Sequence, residues 1–196
     1  MKKLSTYLFL ILFSFQTQSW ADDISDFQIE GMSIGDSLLD YFSKKEIKDN
    51  TNTDYYTNNT YTSVSFNKLP VFEIYESVEL NYKTDDKKYI IAAIAGGLFC
   101  EENIEKCNKK QKEIDLELSN VFKNAKRVDD KGKHGADKSG KSTFKHINFW
   151  LISGDVASIE LVNWSEEITN EKRWVDNVKV SFRREEFNDF LGIAFN

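Results

Sequence analysis

His146 is one of only two histidines in this 196-residue chain. It lies in phase with Phe144 and Trp150 on a strand-like run, Thr143 to Ile152, with Ile147, Phe149 and Leu151 on the opposite side. A histidine in that setting is a hydrogen-bonded structural group when its face is covered and a general base when its face borders a cleft. Glu76 is the carboxylate that stands out beside it. It falls in phase with the apolar set Phe72, Ile74, Val78, Leu80 and Tyr82, so it either sits at a bulge or points inward and needs a partner. His146 and Glu76 are therefore the candidate pair for a small hydrolase. No serine occupies a G-x-S-x-G elbow, and no spacing singles out two carboxylates for acid/base work.

Three further groups carry binding chemistry. Trp150, Trp164 and Trp174 fall in three separate strand-like runs of the second half, where they serve either the core or an aromatic platform for a sugar or a peptide. Gly135 to Ser142, GADKSGKS, matches the phosphate-loop pattern letter for letter, but that pattern needs a buried strand before it and a helix after it. The segment before it is polar and the segment after it alternates as a strand, so the expectation is a mobile solvated loop from Asp129 to Ser142 in which Lys138 and Lys141 contact an anion at most. Cys100 and Cys107 are the only cysteines, and an even count in an exported chain favours a disulfide between them. No metal site and no cofactor are expected, since no His or Cys partners stand at ligand spacing.

Export is read from residues 1–21. Lys2 and Lys3 precede an apolar run from Leu4 to Phe15, and Ser19 and Ala21 place cleavage after Ala21. The run is too short for a retained anchor, which predicts a periplasmic protein without stable membrane insertion. The formal charge of -6 becomes more negative by two when the lysines of the leader are removed. An acidic chain is a poor nucleic-acid partner.

The elements that must position these residues follow from periodicity. Ser33 with Asp36, ahead of Ile34, Leu38, Tyr41 and Phe42, predicts a capped helix, and Ser43 with Glu46 predicts a second start. Residues 49–60 read as a polar loop in which Tyr55 and Tyr56 either fold back on the domain or contact a partner. Tyr61 to Asn67, Phe72 to Tyr82 and Tyr89 to Phe99 read as strands, the last covered on both faces. Glu101 to Lys126 reads as the longest helix. Thr143 to Ile152, Val156 to Trp164 and Trp174 to Phe182 give three more strands, the first two joined by the turn Ser153-Gly154-Asp155, and Glu185 to Leu191 gives a last helical turn or two. The sum is an α+β fold with about six antiparallel strands in helix-β-β-β-helix-β-β-β order and helices on one face. Residues 22–196 form one domain whose halves, about 27–99 and 100–184, share an order of elements without aligning as a repeat.

The segments EGMSIGDSLLDYFS, CEENIEKC, HGADKSGKS and NWSEEITNEKRWVDN together resemble a group of exported proteins of marine alphaproteobacteria with no assigned function. The resemblance spans nearly the whole mature chain and implies a periplasmic home, with no catalytic residues to carry over. The Gly-Met-Ser-Ile opening is also similar to small envelope modules of the β-lactamase-inhibitor-like and outer-membrane-assembly lipoprotein type, although no lipid-anchor cysteine is present. The expected function is a non-enzymatic periplasmic binding or envelope-support module, its partner an envelope protein, a peptide or a carbohydrate. The alternative is the hydrolase built on His146.

Overall fold

Between Phe27 and Phe42 the chain turns twice instead of forming the helix that its apolar spacing predicts. In the computed structural model, which describes residues 23–53, 55–100 and 103–194, Gln28–Ile29 (β1) and Met32–Ser33 (β2) pair as a hairpin. Its turn residues Glu30 and Gly31 take φ of 51° and 78°, and Gly35 at 94° stops a helix from propagating. Only a 3-10 turn, Leu38–Asp40, forms. Asp36 still accepts the Ser33 amide N–H at 2.8 Å, so the bond read as a helix cap closes a turn. Ile34, Leu38 and Phe42 are buried all the same, and Phe42 stacks on Phe66 with ring centroids 3.9 Å apart. The apolar pattern marked a core-facing segment, not a helix. Lys44–Asp49 (α1) does open as expected, on a full capping box in which Ser43 Oγ accepts from the Glu46 amide and the Glu46 carboxylate accepts from the Ser43 amide. The leader assigned to residues 1–21 and its cleavage point lie outside the described residues.

The main sheet is built by alternation. Tyr61–Asn67 (β3), Ser77–Lys83 (β4) and Ile91–Phe99 (β5) form one antiparallel meander. Ile104–Val121 (α2) then crosses, and Lys126–Lys133 (β6), Thr143–Trp150 (β7), Val156–Asn163 (β8) and Asn177–Arg183 (β9) form a second meander. Pairing of β5 with β9 joins them into seven strands ordered β3-β4-β5-β9-β8-β7-β6. Two helices complete the chain: Glu166–Lys172 (α3), between β8 and β9, and Glu185–Leu191 (α4) at the end.

The α+β class and the antiparallel pairing are as expected; the strand count and the placement of helices differ. The main sheet has seven strands because β6, KRVDDKGK, occupies an edge. Its residues carry no apolar alternation, since Arg127 is held by Asp115 and Asp129 and lies over the Phe149 ring at 5.6 Å instead of a buried aliphatic side chain doing so. Charge of this kind also keeps an exposed edge from pairing with another chain. The strand expected from Phe72 starts only at Ser77, because the Glu30 carboxylate accepts the amide N–H groups of Glu73, Ile74 and Tyr75 and bends that stretch away. α2 ends five residues earlier than expected, and Lys126 belongs to β6. The polar loop expected at 165–172 is α3, capped by Ser165 and burying only Ile168.

One face of the sheet holds the main core. Phe66, Leu80, Ile94, Ile159, Leu161, Val178, Val180 and Phe182 pack there against Cys107, Ile114 and Leu118 of α2 and against the N-terminal segment. Phe27 stacks between Phe122 and Phe182 with centroids 4.8 and 5.1 Å away. Tyr75 lies over Gly96 of β5, and a Cβ there would meet the Tyr75 ring at 2.5 Å. α4 packs on the opposite face, where Phe187 and Phe190 meet Tyr61, Ala92 and Ala93. Helices therefore lie on both faces, not one.

Cys100 and Cys107 form a disulfide that ties the end of β5 to the second turn of α2, with Cα atoms 5.6 Å apart. Among the described residues no helix is long and apolar enough to cross a membrane. The disulfide closes a short loop, for which the chain-entropy account gives about 2 kcal/mol. The Cys100→Ser/Cys107→Ser variant is accordingly expected to keep its fold and unfold at lower denaturant, read as a fall in the guanidinium midpoint without a change in slope.

Candidate functional site

Alternation on the face opposite α2 places polar side chains side by side across the middle of the sheet. Lys179 of β9 stands opposite Glu160 of β8, and Glu160 opposite His146 of β7. One row along, Glu79 of β4 is linked through Ala95 to Ser181 and then to Ser158 and Asn148. Arg183 closes β9 on the same face.

These side chains are not left to bulk water. The 49–60 loop folds back and lays Tyr55 and Tyr56 over them, with Tyr56 donating to Asn81 Oδ1 at 2.7 Å and packing edge-on against Phe190. α4 closes the same end through Phe187 and Leu191. Thr57 fixes the loop by donating from both its amide and its hydroxyl to the Ala194 carbonyl, at 2.9 and 2.8 Å. The result is a cavity of about 290 Å³ between two tyrosines and a charged floor. A second cavity of about 500 Å³ continues along the sheet and shares Glu79, Ala95 and Lys179 with the first. Asn52, Asn67, Asn177, Trp164 and Trp174 are among its walls.

The charges in the floor are organised in pairs. His146 Nε2 lies 2.8 Å from Glu160 Oε1, and Lys179 Nζ lies 3.7 Å from Glu79 Oε2. Burial pushes the Glu160 carboxyl up, but the hydrogen bond from His146 and the charge of Lys179 outweigh it and hold the group down at about 2. Lys179 is held above its ordinary range, chiefly by Glu79 and against the cost of burial, with Glu160 adding to the effect. The Tyr55 hydroxyl is pushed up to about 12 by the Glu79 charge and by burial. Glu160 and Lys179 are thus ionised at neutral pH, a fixed pattern of charge inside a partly closed space.

The structure brings some of the expected site residues together and separates others. His146 is in the cavity wall, but the carboxylate on it is Glu160, not Glu76. Glu76 instead accepts the Phe99 amide N–H and caps the end of β5. Trp164 and Trp174 meet with centroids 4.6 Å apart, and His134 lies 4.3 Å from Trp164, so two of the three tryptophans form an aromatic wall. Trp150 ends β7 opposite Val156 and lines neither cavity. Lys138 and Lys141 belong to a loop tied down by Asp137, which accepts from the Ser139 and Ser142 amides and from the Ser142 hydroxyl. Those bonds, led by the Ser142 hydroxyl, hold the Asp137 carboxyl well below its usual range. The loop runs into strand β7, not a helix, and Lys141 faces Glu167 at 3.7 Å. Among the described residues no three His, Cys, Asp or Glu side chains gather closely enough to hold a metal ion.

Glu160, Lys179, Arg183 and Asn148 were not singled out by the sequence. A signal existed at Glu160, a lone carboxylate in the otherwise uncharged run VASIELVN. No protein-family model, curated protein or solved structure matches the chain.

Proposed function

We propose that this protein is an exported, non-enzymatic binding module that holds a small polar ligand in the cleft between the open face of the sheet and the 49–60 loop. The carrying observation is the charged floor itself. Glu79, Glu160 and Lys179 sit in the middle of a sheet whose opposite face carries Val78, Leu80, Ile159, Leu161, Val178 and Val180 at the neighbouring positions, and desolvating such groups costs free energy that an apolar pair would not. Amide side chains and two tryptophans in the adjoining cavity add the uncharged donors, acceptors and ring faces that a sugar or a peptide would use. The disulfide fits an oxidising compartment, in keeping with a periplasmic home. Native mass spectrometry of the protein purified from its exporting host is expected to show a retained small molecule that is lost on denaturation and refolding. A protein that carries nothing and turns over a compound in a broad hydrolase screen would end this reading.

The second reading is a hydrolase in which Glu160 orients His146 as a base, favoured by their 2.8 Å contact. His146→Ala separates the two. A binding module keeps its fold and loses about 1 kcal/mol, below the usual range for a hydrogen bond to a charged group because both side chains reach solvent in part. A hydrolase loses turnover with stability nearly unchanged.

A further inference from the structure

One charge in the cleft stands without an ion pair. Glu160 pairs with His146 and Glu79 with Lys179, but among the described residues the guanidinium of Arg183 makes no ion pair, and its Nε is buried without any hydrogen bond. Its Nη2 reaches Asn148 Oδ1 only at 3.4 Å, and that oxygen already accepts from the Ser158 hydroxyl at 2.7 Å. Arg183 lines the 290 Å³ cavity, and burial lowers the tendency of its side chain to stay charged. A part-buried guanidinium without an ion pair is a costly arrangement, and one that lines a cavity with an unsatisfied donor is suited to being completed by something that binds.

We infer that Arg183 is the anchor for a carboxylate on the ligand, and that the cavity selects small organic monoanions. This rests on the binding reading above and names the chemistry of the ligand. A planar guanidinium presents parallel N–H donors that match the two oxygens of a carboxylate. Two acidic side chains, Glu79 and Glu160, face two basic ones, Lys179 and Arg183, so acids and bases are matched in number across the floor. One anionic group is then matched at Arg183, whereas a phosphate dianion would bring two charges to a guanidinium that carries one. The cavity is small enough to favour a compact molecule.

Lactate and its neutral amide, lactamide, are matched probes, and inorganic phosphate is the dianion control. Calorimetric titration of the mature protein is expected to give a lactate dissociation constant on the order of tenfold lower than that of lactamide or phosphate. Arg183→Gln is expected to erase the difference, and Arg183→Lys to recover part of it. In the absence of added probe, Arg183→Met is expected to raise the melting temperature, because it removes a part-buried charge that lacks an ion pair; a purely structural arginine would give a fall. Equal affinity for lactate and lactamide, undiminished lactate binding by Arg183→Gln, no binding of either probe, or a lower melting temperature for Arg183→Met would each overturn the assignment. A retained small molecule in native mass spectrometry would still stand after any of these results, so the binding reading is judged separately.

Discussion

Lys179→Met is expected to destabilise the protein by about 3 kcal/mol at neutral pH and to abolish retention of the small molecule. Removing one member of a desolvated charge group leaves the others uncompensated, and that penalty, not the lost attraction, dominates. Lys179 serves two carboxylates, Glu79 at 3.7 Å and Glu160 across the β8–β9 pair. The Lys179 and Glu79 side chains retain 35% and 21% of their exposure, which places the effect at the lower end of the range for buried pairs. The loss should depend on pH. In the wild type Glu160 is held at about 2 against an ordinary 4.5, so it contributes stability above 4.5 that disappears as the pH falls through 2. Without Lys179 its carboxyl titrates at higher pH, so the deficit of the variant is greatest near neutrality and shrinks as the solution is acidified below 4.5. Urea unfolding at several pH values measures this directly. A deficit that grows on acidification would contradict the pairing.

Phe27→Ala is expected to cost about 3 to 5 kcal/mol, the range for truncating a buried phenylalanine. Phe27 is 2% exposed and is held between Phe122, which follows α2, and Phe182 of β9, so its removal opens a cavity at a junction of three elements. The effect is on stability alone. Any folded fraction should bind as the wild type does, because Phe27 packs on the face of the sheet away from the cleft. A loss below about 1 kcal/mol in chemical unfolding would mean that the N-terminal segment is not integral to the core.

The contrast between these two sites explains how much of the molecule was legible in its residues. Elements that bury one face announce themselves: β4 alternates from Ser77 onward, β5 is a continuous apolar run, and Gly154 at φ 88° marks the β7–β8 turn. Local hydrogen bonds are equally readable, as at the Ser43 and Glu46 box that starts α1 and the Cys100–Cys107 link. Elements whose burial comes from elsewhere are silent. β6 is an edge held by Arg127 and its two aspartates, and α3 turns all but Ile168 toward partial or full exposure.

The site was half legible for a related reason. Alternation in NVKVSFR places Lys179, Ser181 and Arg183 together on one face, and alternation in β4 adds Glu79 to it. Nothing in a period of two says whether such a face meets solvent or a roof. The roof comes from Tyr55, Tyr56, Phe187 and Leu191, which are over 120 residues apart in the chain at their extremes and converge through the Thr57 and Ala194 contact. His146 was found because histidine attracts notice in any run; its true partner, Glu160, was hidden in a strand that reads as core.

The cleft is tested most directly by amide chemical-shift mapping of the protein titrated with a small-molecule extract of the cells that produce it. The account predicts perturbations concentrated at Tyr56, His146, Glu160, Lys179 and Arg183, removed by Lys179→Met in a variant that remains folded. Perturbations confined to the edge strand β6 or to the loop around Lys138 and Lys141, or none at all, would contradict it.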